Sequence, residues 1–125
     1  MAYTASAAQQ YRQNSVLTTT PADLTLRLYQ GLVKFLRTAL TGIEQGKLED
    51  VNTNLIKSQD ILRELLCTLN MGVPIAKDMA AMYEYMLERS MEANMKKDKE
   101  IIKEILGFAE DFYDTWMKVT KAVKV

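Results

Sequence analysis

Histidine is absent from this 125-residue chain. That removes His-based catalytic triads, imidazole metal sites and the commonest general base together. It also removes the Glu-x-x-His pairs of di-metal carboxylate bundles. The single cysteine, Cys67, permits neither an internal disulfide nor a Cys-rich zinc site, and it fits a reducing compartment. No general base can be named to activate it, so it reads as a packed or semi-exposed bystander. The five glycines, at 31, 42, 46, 72 and 107, are scattered and build no phosphate loop. Neither sign of charge is in excess, with 16 basic and 16 acidic residues. A generic nucleic-acid or anionic-membrane surface needs a basic surplus and is not expected. No apolar run approaches the ~20 residues that span a bilayer. Met1 to Ser15 lacks a charged-then-apolar secretory pattern, so the expected location is the cytoplasm, with no membrane insertion. No cofactor, metal or enzymatic activity is expected.

What is present is apolar periodicity. Apolar residues make up 48% of the chain and charged residues 26%, the balance of one ordinary globular domain. Residues 1–20 are rich in Ala, Ser, Thr and Gln, with Tyr3, Tyr11, Val16 and Leu17 as the large apolar groups. They are expected to form an arm or a short helix resting on the body, with 21–125 as the body itself. Helix-compatible patterns then run over about 21–45, 48–69, 74–95 and 99–121. Thr20 and Pro21 suit the cap and first position of the first helix, and Gly46 breaks it. Glu49 and Asp50 favour the start of the second, which Asn70 and Gly72 end. Asn94 is expected to cap the end of the third helix, and Asp98 the start of the fourth.

The second helix carries a seam of Val51, Leu55, Ser58, Leu62, Leu65 and Leu69, spaced by four and three. Ile75, Met79, Met82, Met86 and Ser90 repeat likewise on the third. Ile102, Ile105, Ala109, Phe112, Trp116, Val119 and Val123 do so on the fourth, with Trp116 assigned to the core. Short connections make successive helices antiparallel neighbours. The expected fold is all-α: an antiparallel up-down four-helix bundle with an N-terminal arm or short helix packing on it.

Two features exceed what a plain bundle needs. On the first helix, apolar residues from Leu24 to Ile43 sweep an arc of ~200°, against the ≳100° of a core-facing stripe. Something in this chain or in a partner must pack on its flank. Methionine is the second feature: Met79, Met82, Met86, Met91 and Met95 share the third helix, with Met71 just before it. Methionine fills irregular core gaps and also serves adaptable binding surfaces.

The order and spacing of several motifs resemble one family. Tyr11 with Asn14 is followed by Val16 and the Thr-Thr-Thr-Pro of residues 18–21. Leu28-Tyr29-Gln30-Gly31 with Phe35-Leu36 and Ala39 comes next. Gln59-Asp60-Ile61, Glu64-Leu65, Tyr83-Glu84-Tyr85-Met86, Ala93-Asn94, Asp98 and Asp114-Thr115-Trp116 complete the pattern. Together they resemble the flagellin-specific export chaperones of bacteria, the FliS family, over nearly the whole chain. Gln30 departs from the family's usual Asp, and Lys47 stands where an N-capping residue is common. The resemblance implies a helical bundle that binds the C-terminal region of flagellin, with 1:1 stoichiometry. Such a protein keeps flagellin unpolymerised and delivers it to components of the flagellar export gate. It also implies that the arm lies over part of the binding surface and must shift.

The partner-binding candidates are Tyr11 on the arm, Leu24, Leu28, Tyr29, Gly31, Leu32 and Phe35 on the first helix, Ile61 on the second and Tyr83 on the third. For each, core packing is the competing reading. The alternative function is a self-associating structural or regulatory bundle that does not bind flagellin. A weak homodimer is compatible with either.

Overall fold

A computed structural model describes residues 20–123, with side chains to residue 121. Among the described residues the chain forms four helices: α1 (Pro21–Glu44), α2 (Leu48–Thr68), α3 (Ala76–Lys96) and α4 (Lys99–Val123). The expected boundaries hold to within two residues, and the deviations have local causes. Thr20 caps α1 as read from sequence: its Oγ1 accepts from the Asp23 amide at 3.2 Å. Gly46 ends the α1 turn with φ of 71°, a left-handed conformation that glycine adopts without a Cβ clash. The third helix starts two residues later than Pro74. Pro74 disfavours helical backbone at Val73, and the chain spends Val73 to Ile75 on a turn closed by Ala76 N–H donating to Val73 C=O at 3.1 Å.

The end of α3 differs from expectation. Lys97, not Asn94, takes the left-handed position, with φ of 50°. The Asp98 amide then reaches back to the Ala93 carbonyl at 3.0 Å, closing the helix end. Asn94 instead bridges helices: its Nδ2 donates to Asn52 Oδ1 on α2 at 2.7 Å. Asp98 caps α4, accepting from the Glu100 amide at 2.9 Å.

Around the bundle, α1 packs on α2 and α4, α2 on α3, and α3 on α4, with no backbone contact across either diagonal. This arrangement explains the wide arc of α1. It is flanked on two sides within its own chain, and Leu28, Leu32, Val33, Phe35, Leu36 and Ala39 are all buried. The α2 seam is interior from Val51 to Leu65. The methionines divide: Met86 is fully buried, Met79 and Met82 are half-buried, and Met71, Met91 and Met95 are exposed. The Met-rich face is therefore core at its centre and surface at its margins.

Candidate functional site

One end of the bundle gathers the start of α1, the end of α2, the α2–α3 connection, the start of α3 and the distal half of α4. There the packing opens into a groove of about 310 Å³. Pro21, Ala22, Thr25 and Tyr29 contribute from α1, and Leu65, Thr68 and Leu69 from the end of α2. Val73 and Ile75 come from the connection, Met79 and Tyr83 from α3, and Trp116 from α4. The lining is almost wholly apolar. Its rim stays in water: Ile75 is 62% exposed and neighbouring Met71 61%. Large apolar side chains left exposed around a concave apolar surface are the mark of a binding site rather than of a core.

The floor is aromatic. Tyr29 and Phe112 stack with ring centroids 5.4 Å apart, and Tyr83 lies 5.4 Å from the same Phe112 ring. Trp116 meets Tyr29 edge-on at 6.3 Å, and its Nε1–H donates to the Ala22 carbonyl at 2.9 Å. That bond ties the first turn of α1 to α4. Across the diagonal, the hydroxyls of Tyr29 and Tyr83 are hydrogen-bonded to each other. Burial raises both phenol pKa values above the ordinary tyrosine range, so both hydroxyls stay protonated.

Two further hollows are less suited to an apolar ligand. A cleft of about 810 Å³ between α1 and α4 is lined by Gln30, Lys34, Arg37, Glu110, Asp111 and Asp114. It is larger, but its charges are of mixed sign and solvated, and Arg37 is already paired with Glu110 at 2.7 Å. A hollow of about 240 Å³ between α3 and α4 adjoins Phe112 and includes Met82 and Phe108.

The sequence-derived candidates fall unevenly on this geometry. Tyr29 and Tyr83 form the groove floor, each about 1% exposed. Leu28, Leu32 and Ile61 are fully buried, Phe35 is buried, and so is Gly31, so these positions offer no surface to a partner in this conformation. Leu24 is half-buried. Tyr11 lies outside the described residues. The groove's own walls, Leu65, Leu69, Val73, Ile75, Met79 and Trp116, were not among the candidates. One signal for them was available. The short connection carries Met71, Val73 and Ile75 where connecting loops are ordinarily polar.

The family model for the flagellar protein FliS matches residues 4–123. The chain belongs to the FliS family. A flagellar secretion chaperone FliS from Bacillus subtilis is 45% identical over 112 residues, covering 90% of this chain and 84% of the relative. A second, from Salmonella typhimurium, is 27% identical over 125 residues and covers 94% of this chain and 93% of its own length. Vibrio cholerae has a third, 24% identical over 101 residues, covering 79% and 74%. The FliS-family assignment agrees with the all-helical architecture. Among the described residues, no helix is long and apolar enough to cross a membrane.

Proposed function

We propose that this chain is a cytoplasmic export chaperone for flagellin. It binds flagellin's C-terminal region one to one, keeps it from polymerising and hands it to the flagellar type III export apparatus. The observation that carries this reading is the apolar groove with its exposed rim, on a chain of the flagellar secretion chaperone family. Flagellin's terminal segments are apolar at helical spacing, and a groove of this kind takes such a segment as helix-in-groove or as an extended piece. The work is binding, not catalysis.

The arm has a natural place in this reading. Residues 1–20 lead directly into Pro21, which lines the groove. Tyr11, Val16 and Leu17 act as a weak internal competitor, lowering apparent affinity by occupying the groove part of the time. Deleting residues 1–17, which leaves the Thr20 cap in place, tightens binding; unchanged or weaker affinity would refute the competition.

The test of the function is calorimetric titration with a peptide of about 40 residues from the C-terminus of the same cell's flagellin, long enough to wrap several helices. The expected result is 1:1 binding with a large negative heat-capacity change. A second reading, stable self-association, is favoured by exposed apolar side chains that do not line the groove, Leu48 and Ile56 on α2 and Met95 on α3. Light scattering that finds a tight dimer, together with no heat from the peptide, moves that reading to first place.

A further inference from the structure

Contacts at both ends of α2 and α3 fix how the two helices align. Leu65 and Leu69, late in α2, line the groove together with Ile75 and Met79 at the start of α3. Asn52, early in α2, accepts from Asn94, late in α3, at 2.7 Å on the exposed side of the pair. The helices are therefore antiparallel, and the Asn52–Asn94 bond marks their outer seam. Leu48 and Ile56 stand four residues to either side of Asn52. On α3, Met91 precedes Asn94 by three residues, and Met95 follows Met91 by four. Spacings of three and four keep side chains on one helix face, so these four surround the seam bond. Their exposure runs from 41% at Met91 to 80% at Met95, and none of them lines the groove. Scattered single apolar residues on a surface need no explanation, but four around one seam do.

The charge beside them has one sign. Seven residues are two helical turns and return a side chain to the same stripe. Glu49 thus shares a stripe with Ile56, Glu84 with Met91, and Glu88 with Met95. Among the described residues, none of these three carboxylates has an ion-pair partner. The neighbouring cations are engaged. Arg63 pairs with Asp60 at 3.5 Å and Lys96 with Glu92 at 2.8 Å. Lys97 donates to the Asn94 carbonyl and Oδ1, each at 2.7 Å, and Lys57 lies over the Phe35 ring. Lys47, just ahead of α2, does not offset three carboxylates.

We propose that the outer α2–α3 seam is a second docking face, built for an amphipathic helix with an apolar stripe and basic flanks that belongs to another protein. The shallow channel between two packed helices receives the ridge of a third. Flexible methionines adapt to its side chains, and the carboxylates meet its lysines or arginines. A second copy of this chain fits less well, because self-pairing brings two net-negative faces together. The face is separate from the groove, so both are filled at once, and it stands independently of the flagellin reading.

The experiment uses the full chain labelled with nitrogen-15 and two synthetic amphipathic helices of about 18 residues, five turns each. Both peptides carry the same leucine stripe; one has lysine flanks and the other glutamate flanks. The side-chain amides of Asn52 and Asn94 report the seam, and the Trp116 indole N–H reports the groove. The basic peptide is expected to shift the two amides, leave the indole signal in place and weaken as salt rises. The acidic peptide binds at least about tenfold more weakly. An Ile56→Gln/Met91→Gln double variant loses at least about tenfold in affinity for the basic peptide. Both side chains are exposed, so its melting temperature stays within about 4 °C of the parent's. Glu84→Gln/Glu88→Gln binds about threefold more weakly, with a shallower salt dependence.

Equal binding of the two peptides overturns the proposal. So does a basic peptide that moves the Trp116 indole in place of the asparagine amides, or one that shifts neither at about 1 mM. Light scattering that finds a dimer broken by Ile56→Gln/Met91→Gln makes the seam a contact between copies and overturns the foreign helix.

Discussion

Helices α1 and α2 approach so closely that a Cβ on Gly42 would stand 3.0 Å from Val51 Cγ2. Helices α3 and α4 are the most loosely packed neighbours in the bundle, with the hollow beside Met82, Phe108 and Phe112 between them. What joins them at the surface is polar apart from an edge-on contact of the Tyr85 and Phe108 rings at 6.2 Å. Tyr85 donates to Glu104 at 2.6 Å, Arg89 donates to the same carboxylate at 3.0 Å, and Arg89 also pairs with Glu92 at 2.7 Å. One half of the molecule is held by close apolar packing, the other by a thinner core and exposed charges. Local stability follows the density of buried apolar contact, and elements that adapt to a ligand come from the less dense part. The groove draws on both halves: α1 and α2 supply fixed walls, while α3 and the connection before it supply Met79, Val73 and Ile75.

The largest expected effect contrasts the two halves directly. Leu55→Ala in α2 removes a fully buried side chain and costs about 2–5 kcal/mol in urea unfolding. Met82→Ala, half-buried beside the hollow, costs under about 1.5 kcal/mol. Equal losses would break the contrast. Trp116→Phe comes next. It removes the bond to Ala22 and lowers stability by about 1 kcal/mol, with hydrogen exchange rising first in the opening turn of α1.

Two helical glycines, one inside α4 and one in the last turn of α1, sharpen the comparison further. Nothing lies within 4 Å of a Cβ built on Gly107 of α4, so Gly107→Ala stabilises by about 0.5–1 kcal/mol through helix propensity. Gly42→Ala meets Val51 and the Lys47 carbonyl, and overpacking of about 1–3 kcal/mol outweighs the same propensity gain. Thermal melts of the two variants should move in opposite directions.

The smallest effect tests the polar tie. Hydrogen bonds from Tyr85 and Arg89 hold the Glu104 carboxyl pKa below its usual range. A depressed folded pKa means stability that is present above the unfolded value of ~4.3 and lost as pH falls through the folded pKa. Glu104→Gln therefore lowers the melting temperature slightly near neutral pH. The gap to the parent closes as pH drops below the ordinary glutamate range. A gap that persists in acid would mean that the tie does not act through the charge.

Much of this architecture was legible in the residues. The Thr20 and Asp98 caps, the Gly46 break and the α2 seam each depend on groups within a few positions of one another, so local pattern suffices to place them. Asn94 shows where that stops. Its type suits a helix end, yet a partner 42 residues away takes its side chain and Lys97 takes the turn. The candidate site was legible only in part. The motifs that carry the family resemblance marked Tyr29 and Tyr83, but neither they nor helical spacing could separate the groove floor from the deep core that holds Leu28, Leu32 and Ile61.

By itself, the sequence determined a histidine-free, charge-balanced chain of four amphipathic helices, the first and last with side-chain caps, because composition and local hydrogen bonding set those properties. The tertiary structure alone decided that α1's broad apolar arc is covered by α2 and α4 of the same chain. It alone decided that two tyrosines 54 residues apart share a hydrogen bond and that the helix ends leave a groove above them. Periodicity reports which face of a helix is apolar. Which helices stand diagonally, and at what height their side chains meet, depends on how all four pack at once.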